Sequence, residues 1–128
     1  MSDEMVPRLL LVDDEQVLMN LCRRELEKNG YAVAAFTSSE QALETFRSAP
    51  DAFDAVITDN RMPGLTGLAL AQHIRGIRPS IRILLVSGLA ESLDPASPEA
   101  QSISRVLPKP HTGRQLVDAV RALLGDQP

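Results

Sequence analysis

Residues 8–12, Arg-Leu-Leu-Leu-Val, form a short apolar run with no polar alternation. A strand with one face in water alternates, so a run of this kind marks a strand buried on both faces. A second such run, Ala55-Val56-Ile57-Thr58, ends on Asp59 and breaks into the turn Met62-Pro63-Gly64. Further strands are expected over residues 32–36, 81–87 and 105–107, the fourth broken off by Gly88 and the fifth running into Pro108-Lys109-Pro110. Sheets that are buried on both faces are parallel, and parallel neighbours need a crossover between them.

The segments between the runs supply those crossovers. Residues 16–29 are predicted helical, with Val17, Leu18, Leu21, Cys22 and Leu26 on the inner face and Gly30 as the stop. Ser38 with Gln41 makes a capping box for a second helix that turns Ala42, Leu43 and Phe46 inward. A third helix follows Gly64-Leu65-Thr66-Gly67, with Leu70, Ala71, Ile74 and Ile77 at core spacing. His73 has no metal partner at i+4 and is expected at an edge or in solvent. The window 89–103 is irregular, holding Pro95 and Pro98, and Ser97-Pro98-Glu99 allows only a short helix from about residue 98. Thr112 and Gln115 suggest a capping box for the last helix, whose inner face is Leu116, Ala119, Val120, Leu123 and Leu124 and which Gly125 ends. The expected fold is α/β: a doubly wound, five-stranded parallel sheet in order 2-1-3-4-5 with a shortened or irregular fourth helix.

That order brings the ends of strands one and three together at the topological switch point, so Asp13, Asp14 and Asp59 converge in one crevice. Ser87 and Lys109 close strands four and five along the same edge. Three adjacent carboxylates repel unless a cation or protons intervene, and an all-oxygen ligand set favours a hard ion, Mg2+. Asp59, the central carboxylate, is the candidate nucleophile for an aspartyl phosphate, with Lys109 as point cation and Ser87 as hydrogen-bond donor. Gly88 leaves room for a phosphoryl group and exposes a backbone N–H. Composition narrows the alternatives. The chain has 128 residues, enough for one domain with its core over about 7–125, and a net charge of −4 without a basic, aromatic-laced patch, which argues against direct nucleic-acid binding. No apolar run reaches the length of a membrane span, the start Met1-Ser2-Asp3-Glu4 is unlike a secretory signal, and a lone Cys22 fits a reducing compartment; membrane insertion is not expected and a cytoplasmic location is. Cys22 itself reads as a small core residue.

The motif set Val12-Asp13-Asp14-Glu15, Thr58-Asp59-Asn60-Arg61-Met62-Pro63-Gly64, Val86-Ser87-Gly88 and Pro108-Lys109-Pro110 resembles that of the receiver domains of bacterial two-component signalling, the response-regulator superfamily. The stretch 57–67 followed by Leu70-Ala71 is also similar to receivers fused to sensor histidine kinases. The resemblance implies a flavodoxin-like fold and a single receiver domain across 1–128. It implies that Asp59 accepts a phosphoryl group from a histidine kinase or phosphotransfer protein, and that the domain then switches its surface for an output partner. It assigns Mg2+ to Asp14, Asp59 and the main-chain carbonyl of Arg61, with Asp13 acting through water. It assigns phosphoryl contacts to Ser87, Lys109 and the backbone of Asn60 and Gly88, and makes Lys109–Pro110 a candidate cis bond. Arg61 and Leu89 flank the path of an attacking water.

Two departures stand out. Receivers usually carry Tyr or Phe three residues before the lysine; here it is Val106. The regular fourth helix is replaced by the Pro-broken 89–103 window, so phosphorylation is expected to act on the 88–103 loop directly through Ser87 and the adjacent backbone. The alternatives are a phosphorylation-independent, receiver-like interaction module and, more distantly, a Mg2+-dependent phosphohydrolase. The latter lacks a general acid, since Arg61 stands two residues after Asp59. No turnover of an external substrate is expected.

Overall fold

In the computed structural model, which describes residues 6–88 and 96–125, Arg8–Val12 (β1) lies between Ala32–Phe36 (β2) and Ala55–Asp59 (β3). Arg82–Ser87 (β4) and Arg105–Pro108 (β5) extend the sheet on the β3 side. Every pairing is parallel and the order is β2-β1-β3-β4-β5, as the non-alternating runs require. The helices are Gln16–Lys28 (α1), Ser39–Ser48 (α2), Gly67–Ile77 (α3), Pro98–Gln101 (α4) and Gly113–Leu124 (α5), with a 3-10 turn at Pro50–Ala52. The expected acidic N-terminus, Leu89 with the rest of 89–95, and the last three residues lie outside the described residues.

Alternate residues of the central strands feed two cores. Leu9, Leu11, Ile57, Leu84 and Val86 face Leu26, Leu116, Val120 and other residues of α1 and α5. Leu10, Val12, Val56 and Ile83 face Phe46, Leu70, Ile74 and other residues of α2 and α3. Both layers exclude water, which is why polar alternation is absent from these strands.

Strand and helix limits differ from expectation by one residue at several ends. β3 continues through Asp59, because Asp59 registers against Val86 on β4. β5 reaches Pro108, opposite Ser87. Ser38 accepts from the Gln41 amide at 3.2 Å, the forward half of the expected capping box. At α5 both halves form: Thr112 Oγ1 accepts from the Gln115 amide at 3.0 Å and Gln115 Oε1 from the Thr112 amide at 2.8 Å. α4 is a single turn, started by Ser97 Oγ accepting from the Ala100 amide at 3.1 Å.

The inner face of α1 needs correction. Val17, Leu18 and Leu21 are 73%, 43% and 56% exposed, whereas Met19 and Leu26 are buried and Cys22 packs partly against the core. The apolar stripe of α1 is wider than the arc its seat covers, and the line Met19, Cys22, Leu26 takes the inner position.

Candidate functional site

Parallel pairing aligns the C-terminal ends of β1, β3, β4 and β5 on one edge of the sheet. Asp13 and Asp14 follow β1, Asp59 and Ser87 close β3 and β4, and Lys109 follows β5. One carboxylate oxygen from each of Asp13, Asp14 and Asp59 lies within 4.8 Å of the others. Asp59 is buried, Asp13 is half-buried and Asp14 is exposed, so the acids form a gradient from core to solvent. Lys109 Nζ forms an ion pair with Asp59 Oδ1. Its own backbone amide donates to the Ser87 carbonyl at 2.8 Å, and the peptide bond to Pro110 is cis.

The electrostatics follow from this packing. Burial pushes the Asp13 carboxyl up; the charges of Asp59 and Asp14 add to that, while the Glu15 amide, donating to Asp13 Oδ1 at 2.9 Å, and Lys109 pull it back. The Ser87 hydroxyl is buried and, among the described residues, has no hydrogen-bond partner. A buried hydroxyl is costly to leave unsatisfied, so Ser87 Oγ is placed to serve a group that brings its own oxygens.

The backbone N–H of Asn60 donates to the Val86 carbonyl at 3.1 Å, continuing the β3–β4 pairing one residue past Asp59. Its side-chain oxygen accepts from the Leu68 amide at 3.2 Å and its carbonyl from the Gly67 amide at 2.9 Å, which fastens Asn60, the residue after Asp59, to the start of α3. Arg61 is exposed in the turn that follows, and Gly88 is half-buried beyond β4. Met62 is buried in the α2–α3 core and Gly64 has φ 76°, so this turn is held at a buried methionine and bent at a residue that tolerates the left-handed conformation.

Gly67 carries a positioning role that the sequence pattern did not reveal. A Cβ there would overlap the Asp59 carbonyl oxygen and approach Asn60 Cα at 2.9 Å. Its signal was a glycine at the first position of a helix, directly after the Thr66 cap. A cleft of about 450 Å³ opens beside the acids, walled by Leu18, Leu21, Cys22, His111 and Leu116 and reaching Asp59 and Lys109. Burial, then the nearby acids, pushes the Cys22 thiol up, which keeps it protonated and poorly nucleophilic. His73 is exposed.

A family model described as the response regulator receiver domain matches residues 9–121. The chain belongs to the receiver-domain family. The receiver is 33% identical to the response regulator receiver protein CpdR of Brucella abortus over 91% of this chain and 96% of that protein. It is also 33% identical to the sensor kinase CckA of Brucella abortus over 93% of this chain, but spans 13% of that protein. Among solved structures, the response regulator protein TrrA of Thermotoga maritima, in complex with Mg2+-BeF, superposes with a TM-score of 0.81 at 30% identity, covering 92% of this chain and 99% of that one. The all-oxygen donor set of the receiver's acid cluster fits a hard divalent ion such as Mg2+. Among the described residues, no helix is long and apolar enough to cross a membrane.

Proposed function

We propose that this receiver accepts a phosphoryl group on Asp59 from a phosphohistidine and uses the modified state to signal to a partner. The observation that carries the reading is the meeting of three carboxylates at the strand ends with Lys109 in contact with the buried one, Asp59. Asp14, Asp59 and the main-chain carbonyl of Arg61 would hold Mg2+, with Asp13 contributing through water. When bound, the ion supplies positive charge that offsets the repulsion between the acids and that of the phosphoryl oxygens. Asp59 attacks phosphorus: a P–O bond forms as the P–N bond of the phosphohistidine breaks, and the leaving imidazole takes up a proton. Lys109, paired with the Asp59 carboxylate beforehand, follows the negative charge onto the phosphoryl group, and the Ser87 hydroxyl donates to it.

The donor is a histidine kinase or phosphotransfer protein, a reading supported by the likeness to a segment of the sensor kinase CckA. The exposed side chains Val17, Leu18 and Leu21 supply an apolar contact surface for it on α1, and two of them line the cleft that reaches Asp59. Exchange with such a kinase puts the receiver in the cytoplasm. Val106 is 45% exposed and offers no aromatic ring to turn inward, so the modified state acts through Ser87 and the backbone that follows it.

Intact-mass spectrometry after incubation with Mg2+ and a small phosphodonor tests this. The expected result is a single added phosphoryl group on the wild type, absent for Asp59→Asn and absent in EDTA. An unmodified wild type that also fails to bind beryllofluoride would replace this reading with a phosphorylation-independent interaction module.

A further inference from the structure

Arg75, in the last turn of α3, has every N–H of its guanidinium engaged. Nε and Nη2 donate to the Ser102 carbonyl at 3.1 and 2.6 Å, and Nη2 also donates to Ser104 Oγ at 3.2 Å. Nη1 donates to the Pro79 carbonyl at 2.8 Å and to the Ile81 carbonyl. One side chain thus gathers acceptors from the α3–β4 connection and from the α4–β5 connection, using the rigid fork that a lysine lacks. Ser104 is in turn sewn to β4: its amide donates to the Ile83 carbonyl at 2.9 Å, and its hydroxyl accepts from the Ile83 amide at 3.0 Å. Ser102 is buried, and its hydroxyl donates to the Pro98 carbonyl at 3.2 Å, closing the single turn of α4 onto the same knot.

A helix of several turns is fixed to its sheet by an apolar stripe. One turn has no such stripe, and it is also too short to hold its own conformation. Here a charge-assisted polar clamp takes over that task. We infer that Arg75 is a latch which fixes the end of α4 and the start of β5, so that the rearrangement driven from Asp59 stops before Ser102. This rests on the phosphorylation reading given above and limits it: residues 102–105 do not follow Ser87 and Gly88. The exposed β5 surface at Arg105 and Val106 consequently does not report the phosphorylation state.

Backbone amide NMR of the whole chain, with and without Mg2+ and beryllofluoride, tests the latch. In the wild type the amides of Asp59, Ser87 and Gly88 are expected to shift, while those of Ser102, Ile103, Ser104 and Arg105 stay in place. In Arg75→Gln, which cannot span both connections, the shifts are expected to extend through residues 102–105, and Arg75→Lys should resemble it. Wild-type shifts at 102–105 as large as those at Gly88 would overturn the latch, even if the variants fold poorly. So would folded variants in which 102–105 stay silent. An absence of shifts at Asp59 and Gly88 themselves would overturn the phosphorylation reading, and the latch with it, by a different signature.

Discussion

Asp13 is the strained member of the acid cluster. Burial and its acidic neighbours hold its carboxyl above the ordinary 3.8 in the folded chain. Between that value and the raised one the folded state binds the proton more tightly than the unfolded state does, so stability falls as pH rises through the window and stays reduced above it. Asp13→Asn is therefore expected to raise the metal-free melting temperature at pH 7, with the gain closing as pH is lowered toward 4. Thermal melts in EDTA measure it, and equal melting temperatures at pH 7 would contradict the argument. Gly67 is constrained by space instead of charge. Gly67→Ala puts a methyl group into the Asp59 carbonyl and against Leu85, and either the helix or the strand end must move. A loss of about 1–3 kcal/mol in urea unfolding is expected, together with slower labelling of Asp59 by a small phosphodonor.

Among the elements, α1 separates packing from recognition. Leu26 is fully buried, and Leu26→Ala should cost about 2–5 kcal/mol. Leu21 is 56% exposed at the cleft wall, and Leu21→Glu should change stability by no more than about 0.5 kcal/mol. The same variant is expected to slow transfer from a phosphohistidine protein while leaving transfer from a small phosphodonor unchanged. Equal slowing of both donors would mean that the substitution disturbs the Asp59 site itself. This helix also shows where sequence periodicity stops being informative. Its spacing marks the helix and its apolar side, but not which part of a broad stripe the neighbours cover: Met19 is buried, whereas Val17, Leu18 and Leu21, at equally regular helical spacing, are exposed. β1 and β3 were easier to read, since burial on both faces leaves an unbroken apolar run. The one-turn α4 was legible too, through Ser97-Pro98 and the prolines that bar a longer helix.

At the scale of the whole molecule, the site was legible because topology collects strand ends. Once the sheet order is parallel and doubly wound, Asp13, Asp14, Asp59, Ser87 and Lys109 must share an edge, whatever the details of packing. What escaped are contacts between residues far apart in the chain: Asn60 donating across to Val86, Gly67 against Asp59, and Arg75 reaching Ser102 and Ser104. No local pattern encodes these, because each depends on how two connections meet. The fold therefore assembles like charges at the mouth of its own core, and Lys109 offsets them only in part. A ligand that relieves this repulsion binds the folded state and not the unfolded chain, so Mg2+ held by this cluster, as proposed, would stabilise the whole domain by mass action. At about one hundred times its dissociation constant the gain is about 2.7 kcal/mol, which for a domain of this size raises the melting temperature by on the order of 10 °C. Scanning calorimetry at pH 7 with increasing Mg2+ should show this rise in the wild type and lose most of it in Asp14→Asn. The rise should also shrink as pH falls, because the Asp13 carboxyl, raised by burial, takes up a proton and leaves the ion less charge to meet. A wild-type melting temperature indifferent to Mg2+ would mean that the cluster is not a cation site, and that Lys109 alone balances Asp59.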